Sequence, residues 1–174
     1  MIKSYSFFDQ LKAVDKSEDK IIKIINKYFS GEKIRKSNLE EDIKGIDYFA
    51  GENKIDIKLR NINYPGDVAL EIWSNCEKKT IGWTLDNIKI TDYVLFIWKD
   101  KDLIIPYKKL REVFKKNYAD WVMSCRTIRN RTVNTGHSYT SMAVFIPVLF
   151  LLEEIVRNSF TSERKYSKIR SIYE

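Results

Sequence analysis

Three charged side chains fall at a spacing that could do chemistry. Asp56 and Lys58 lie in the segment Lys54–Arg60 (K-I-D-I-K-L-R), where apolar and charged residues alternate strictly. Such alternation marks a strand, and residues i and i+2 of a strand leave the same face roughly 6 to 7 Å apart. A carboxylate placed this way can hold a divalent cation while the ammonium reaches the same phosphate. Asp47 stands nine residues upstream, on a segment joined to this one by Gly51-Glu52-Asn53. The two carboxylates can therefore converge at neighbouring strand ends. Two hard oxygen donors with room for water suit Mg²⁺, with Mn²⁺ as the substitute ion, and the Ile57 carbonyl is a further candidate donor. Cation and lysine together would lower the pKa of an attacking water and stabilise a pentacovalent phosphorus.

The rest of the composition narrows the alternatives. Among 174 residues there is one histidine, His137, which excludes zincin motifs, two-histidine metal sites and ββα-metal nucleases. No G-x-G-x-x-G or G-x-x-x-x-G-K-[ST] run occurs, so neither a dinucleotide fingerprint nor a P-loop is present, and no organic cofactor is expected. Cys76 and Cys125 stand apart, with no C-x-x-C. The opening residues lack a signal-peptide core, and the longest apolar run, Met142–Leu152, contains Pro147 and is too short to span a bilayer. A soluble cytoplasmic protein with reduced thiols is expected.

Charge is unevenly spread. The net charge is +7, yet residues 1–87 carry 15 basic and 15 acidic side chains, whereas 88–174 carry 16 basic against 9 acidic. The excess is densest over 106–132, a pattern suited to a polyanion through counterion release. Lys108, Arg111 and Lys115 follow helical spacing opposite Tyr107, Leu110 and Phe114. With Arg60, Arg126, Arg129 and Arg131 they are the candidate nucleic-acid contacts.

These groups need elements to position them. Helices are predicted over Phe7–Val14 and Ser17–Phe29, the second with Ser17 as N-cap, Glu18 and Asp19 in its first turn, and Gly31 as its stop. Strands are predicted at Ile43–Phe49, Lys54–Arg60, Val68–Ser74, Thr80–Leu85, Thr91–Trp98 and Leu103–Ile105. A helix runs from Pro106 to about Tyr118, Asn134-Thr135-Gly136 makes a turn, and Pro147–Arg157 is the last helix. The expectation is one α/β domain over 1–158, a mixed sheet flanked by helices, with 159–174 a basic arm or short helix. Trp73, Trp83 and Trp121 are read as packing residues, and Tyr93, Phe96 and Trp98 as core.

The arrangement resembles the PD-(D/E)XK nuclease superfamily, and within it the Holliday-junction resolvase-like branch. Glu18 opens a helix similar to the family's acidic first helix. Gly45-Ile46-Asp47-Tyr48 sits where the family has its P-D strand, with Ile46 in place of proline. Asp56-Ile57-Lys58 falls on the (D/E)-x-K position, and Arg60 matches a basic residue often found two positions later. Five other (D/E)-x-K triplets occur, but only this one lies in a clean alternating strand with an upstream Asp at this distance. The segment 61–90 reads as strand-rich where the family places a helix.

The resemblance implies a restriction-endonuclease-like core and a Mg²⁺-dependent DNA endonuclease. Asp47 and Asp56 would bind the metal, Lys58 would position water and stabilise the transition state, and Glu18 would join the cation or orient a water beside it. Glu71, in L-E-I-W, is a further acid that can join the metal site or meet a neighbouring lysine. Duplex or branched DNA and a homodimer are the implied partners. Two other readings share these residues: a non-catalytic nucleic-acid-binding protein, and a sequence-specific restriction-type enzyme.

Overall fold

The computed structural model describes residues 4–5, 18–60, 66–134 and 137–159. In chain order the elements are β1 (Ser4–Tyr5), α1 (Glu18–Tyr28), β2 (Ile34–Lys36), α2 (Leu39–Ile43), β3 (Tyr48–Ala50), β4 (Asn53–Leu59), β5 (Asp67–Asn75), β6 (Thr80–Ile81), β7 (Tyr93–Ile97), β8 (Asp102–Pro106), α3 (Tyr107–Ser124), β9 (Arg126–Asn134) and β10 (His137–Pro147). A last helix, α4, covers 148–159. The expected helix Phe7–Val14, the Ser17 cap and the arm beyond 159 lie outside the described residues.

The expected single mixed sheet is two five-stranded sheets, in a single compact α/β domain. One has the order β2-β3-β4-β7-β8 and the other β1-β9-β10-β5-β6. In the first, β2, β3 and β4 are antiparallel neighbours, and β7 lies parallel to β4 with Asp56 opposite Val94 and Lys58 opposite Phe96. The residues between β4 and β7 supply β5 and β6 to the second sheet. There β5 pairs with β10, and β10 with β9.

Alternation along β4 decides how the layers stack. Ile55 faces a cluster with Leu95, Ile97 and Ala50, closed by Ile21 and Ile25 of α1. This is the stripe expected of the helix read at 17–29. Asp56 and Lys58 take the opposite face, shared with Val94, Phe96 and Trp98. Beyond them lies the main core, where Val68, Leu70, Ile72, Val144 and Ile146 of the second sheet meet Leu110, Val113, Phe114 and Trp121 of α3. The reading of Trp121, Phe96 and Trp98 as core residues agrees with this packing.

Several boundaries differ from expectation, each for a local reason. Ile43–Phe49 is not one strand. Asn38 and Glu41 form a capping box that starts α2. Gly45, at φ +85°, ends it: Ile46 N–H reaches the Glu41 carbonyl (3.1 Å) and Gly45 N–H the Asp42 carbonyl (2.8 Å). That is a Schellman termination, which needs a residue tolerant of the left-handed region. Only Tyr48–Ala50 remain as strand. The strand at Thr80–Leu85 shrinks to Thr80–Ile81, and α3 continues past Tyr118 to Ser124 with Pro106 as its N-cap. Arg126–Asn134 and His137–Pro147 form a long antiparallel pair. Among the described residues, no helix is long and apolar enough to cross a membrane.

Because Ile25 of α1 is fully buried against β4 and β7, Ile25→Ala should cost roughly 2 to 5 kcal/mol in urea unfolding. An unchanged midpoint would show that α1 does not hold the sheet.

Candidate active site

Asp47 stands just before β3 and is fixed from both sides. Its N–H donates to the Ile55 carbonyl (2.9 Å), and its own carbonyl accepts from Ser37 N–H (2.9 Å). Its carboxylate Oδ2 accepts from the Ile57 N–H at 2.5 Å, so a side chain at the end of one strand closes onto the backbone of the next. The Gly45 termination delivers Asp47 to this place.

Asp56 and Lys58 pair on the shared face of β4, with Lys58 Nζ donating to Asp56 Oδ1 at 2.7 Å. Asp56 keeps 8% of its side-chain surface exposed and Lys58 28%. Nζ also lies 4.8 Å from the centre of the Trp83 ring. Burial weakens the lysine's hold on its proton, but the charges of Asp56, Asp47 and Glu71 outweigh it and push its pKa up. Lys58 is therefore cationic at neutral pH.

The Asp47 carboxyl lies against that of Asp56. Its pKa is pushed up to about 6, first by burial and then by the Asp56 charge, against the opposing pull of Lys58 and the Ile57 N–H. Asp42, from α2, touches Asp47 in turn, and burial followed by the Asp47 charge raises its pKa as well. Sequence reasoning passed over Asp42, whose D-I-K triplet was one of the discarded matches. The Asn38-to-Glu41 cap spacing that makes α2 was the signal that could have found it.

Ionised Asp47 and Asp56 with protonated Lys58 carry a net charge of −1 in a partly dry site. Two carboxylates pressed together repel one another, and a hard divalent cation between them would remove that cost. Asp47 and Asp56 are the residues that could hold such an ion. Among the described residues, no group of three or more His, Cys, Asp or Glu side chains is placed so that it could hold a metal ion.

The other candidates sit elsewhere. Glu18 accepts from Tyr48 Oη (3.3 Å) and pairs with Lys36 (3.8 Å), near the α1 face of the sheet and across it from Lys58. Glu71 accepts from the Trp83 N–H (3.1 Å) within electrostatic reach of Lys58, and burial raises its pKa. A Cβ on Gly82 would lie 2.6 Å from the Glu71 carbonyl oxygen, so only glycine lets this loop pass and set Trp83 under Lys58. The loop is pinned further by Tyr107 Oη on the Trp83 carbonyl (2.6 Å) and by Arg111 on the Leu85 carbonyl (3.0 Å) and Asn87 (2.6 Å). Arg111 thus holds a loop, while Lys108 and Lys115 stay exposed on α3. Arg60 and Arg126 both reach Asp67, and Arg129 and Arg131 are exposed on β9.

Comparison of the chain with models of known families, with curated proteins and with solved structures finds no match.

The raised pKa of Asp47 has a stability consequence. Its ordinary value of 3.8 rises to about 6 in the folded chain, so ionising it costs stability. That cost is absent below about pH 4 and complete above about pH 6. Asp47→Asn keeps an acceptor for Ile57 and removes the charge. In EDTA at pH 8 it should stabilise the fold by roughly 2 to 3 kcal/mol, a gain that fades towards pH 4. A variant less stable than the parent at pH 8 would contradict this.

Proposed function

We propose that this chain is a divalent-metal-dependent endonuclease that hydrolyses DNA phosphodiester bonds, built on a PD-(D/E)XK-like core. The observation that carries the reading is the convergence of Asp47 and Asp56 beside a protonated Lys58 on one face of β4. Order along the chain supports it: an acid-led helix, a strand preceded by Asp47, then the D-x-K strand with a parallel neighbour in β7. In place of a helix between those two strands, this chain inserts β5 and β6.

Asp47 and Asp56 would hold Mg²⁺ or Mn²⁺, which supplies positive charge to a phosphoryl group and acidifies water near it. Lys58 acts as a fixed cation. Its Nζ donates to a non-bridging phosphate oxygen and stabilises the charge that grows there in the transition state. The Asp56 carboxylate and the Trp83 ring hold that ammonium in place before substrate arrives. Exposed Lys108, Lys115, Arg129 and Arg131 supply attraction for the backbone. Selection of branched DNA and action as a homodimer belong to the same proposal through the resemblance.

The test is a cleavage panel with Mg²⁺ on a four-way junction, linear duplex, single strand and RNA. Wild type should cut at least one DNA substrate, and Lys58→Ala should lower the rate by about 10²- to 10³-fold. Cuts at discrete duplex positions, with indifference to branching, would make it a restriction-type enzyme. DNA binding without cleavage, or a Lys58→Ala variant as active as wild type, would leave only a binding module.

A further inference from the structure

The far end of the second sheet carries charge that the cleavage chemistry does not use. Between Asp120 and Glu153 the sequence has no acidic residue, and β9, inside that stretch, carries Arg129 and Arg131. Two residues apart on a strand, they leave the same face. Both are exposed, opposite Met142 and Thr140 of β10.

The β5–β6 turn lies against the same place. β5 and β10 pair as far as Trp73 and Met142, and past them the turn takes over. Cys76 N–H donates to the Thr140 carbonyl (2.7 Å), and Thr140 N–H donates to the Glu77 carboxylate (2.9 Å). Asn75 Oδ1 accepts from Lys78 N–H (2.8 Å), and Lys79 N–H reaches the Cys76 carbonyl (3.4 Å). Thr140 is the residue opposite Arg131, so these bonds set the turn beside the two arginines. The Thr140 hydrogen bonds hold the Glu77 carboxyl below its usual range, with a further contribution from the Arg131 charge. Four exposed cations, Lys78, Lys79, Arg129 and Arg131, thus stand against one exposed acid, Glu77, a net +3.

The turn departs from the residue choice that stability favours. Lys79 is at φ +53°, alone among the described residues other than glycine. Glycine or asparagine would fill that position with less strain. An ammonium is kept where the backbone disfavours it, near three other cations that repel it. A polyanion lying across the four would offset both costs. The hydroxyls of Thr127, Ser138 and Thr140 share the Arg129–Arg131 face, and hydroxyls are common donors to backbone phosphate. On β5, Glu71 lies within electrostatic reach of Lys58 and precedes Cys76 by five residues, roughly 15 Å of strand. That is about half a turn of duplex.

We propose that Lys78 and Lys79 of the β5–β6 turn, with Arg129 and Arg131 of β9, form a grip on the phosphate backbone of a nucleic-acid duplex, apart from the carboxylate pair. The inference rests on the nuclease reading for its substrate. It adds that the duplex is held at the end of the second sheet, within about half a turn of the bond presented to Lys58.

The experiment is binding of a labelled DNA duplex by the full chain, in EDTA, over a range of salt. Lys79→Gly and Lys79→Asn remove the charge and relieve the backbone. Lys23→Gln removes a charge from an exposed position on α1, which packs on the other sheet. Both Lys79 variants should melt no lower than wild type. They should nonetheless bind about five- to ten-fold more weakly at about 0.1 M salt, with the slope of log affinity against log salt shallower by about one. Lys23→Gln should stay close to wild type. Lys79 variants that bind like wild type, or a loss in Lys23→Gln as large as theirs, would overturn the grip. So would a wild type that binds no duplex, or one that binds vesicles of anionic lipid and not DNA. A Lys79→Gly chain that melts below wild type would contradict the strain at this position, and with it the proposal. The nuclease reading is judged separately, by Lys58-dependent cleavage. Such cleavage with unchanged binding by the Lys79 variants removes the grip alone, whereas a Lys79-specific loss of binding without cleavage of any substrate keeps the grip and removes the nuclease.

Discussion

One strand has to satisfy two opposite demands, and the rest of the structure follows from how it does so. β4 must be apolar on one face, where Ile55 is sealed beneath α1, and charged on the other, where Asp56 and Lys58 stand beside the main core. A strand with period-two alternation can do this only if the layer on its charged side is built around polar groups. The charged groups at its centre accordingly have partners. Lys58 meets Asp56 and the Trp83 ring, and Asp47 meets the Ile57 N–H. The second sheet and the Gly82-to-Trp83 passage serve as the wall that makes this face half dry. Dryness is what turns ordinary carboxylates into a strained pair.

The strain is electrostatic and has a sign. Asp47 and Asp56 repel, burial amplifies the repulsion, and a single lysine offsets only part of it. A fold selected for stability alone would gain by replacing one of the acids with an amide. The chain instead holds Asp47 in place with a backbone hydrogen bond from Ile57, and the divalent cation proposed above would supply the positive charge that this balance lacks.

Much of this was legible in the sequence, and the parts that were not have physical causes. The alternating K-I-D-I-K-L-R run fixes which side chains share a face, so the Asp56–Lys58 pair could be read directly. The apolar stripe of α1 and the continuous run in β7 are equally local signals, and both elements appear where expected. The short helix α2 was hidden because five residues are too few to show a periodicity, and its evidence lies in its caps, Asn38, Glu41 and Gly45. The split into two sheets was hidden because strand partnership is non-local. Nothing in V-A-L-E-I-W says that β5 leaves β4 to pair with a strand seventy residues later. For the same reason Trp83 and Asp67 could not be assigned beside Lys58 and Arg60. Glu18 shows the converse limit: its place in the chain matches the family pattern, but its contacts are with Tyr48 and Lys36.

The central claim is that Asp47 and Asp56 together form a seat for a divalent cation. Crystals soaked in Mn²⁺ and measured for anomalous scattering test it most directly. The account predicts a peak between the two carboxylates, within coordination distance of an oxygen from each and next to Lys58 Nζ. Peaks only at other places, or none at a Mn²⁺ concentration that saturates ordinary carboxylate sites, would contradict it.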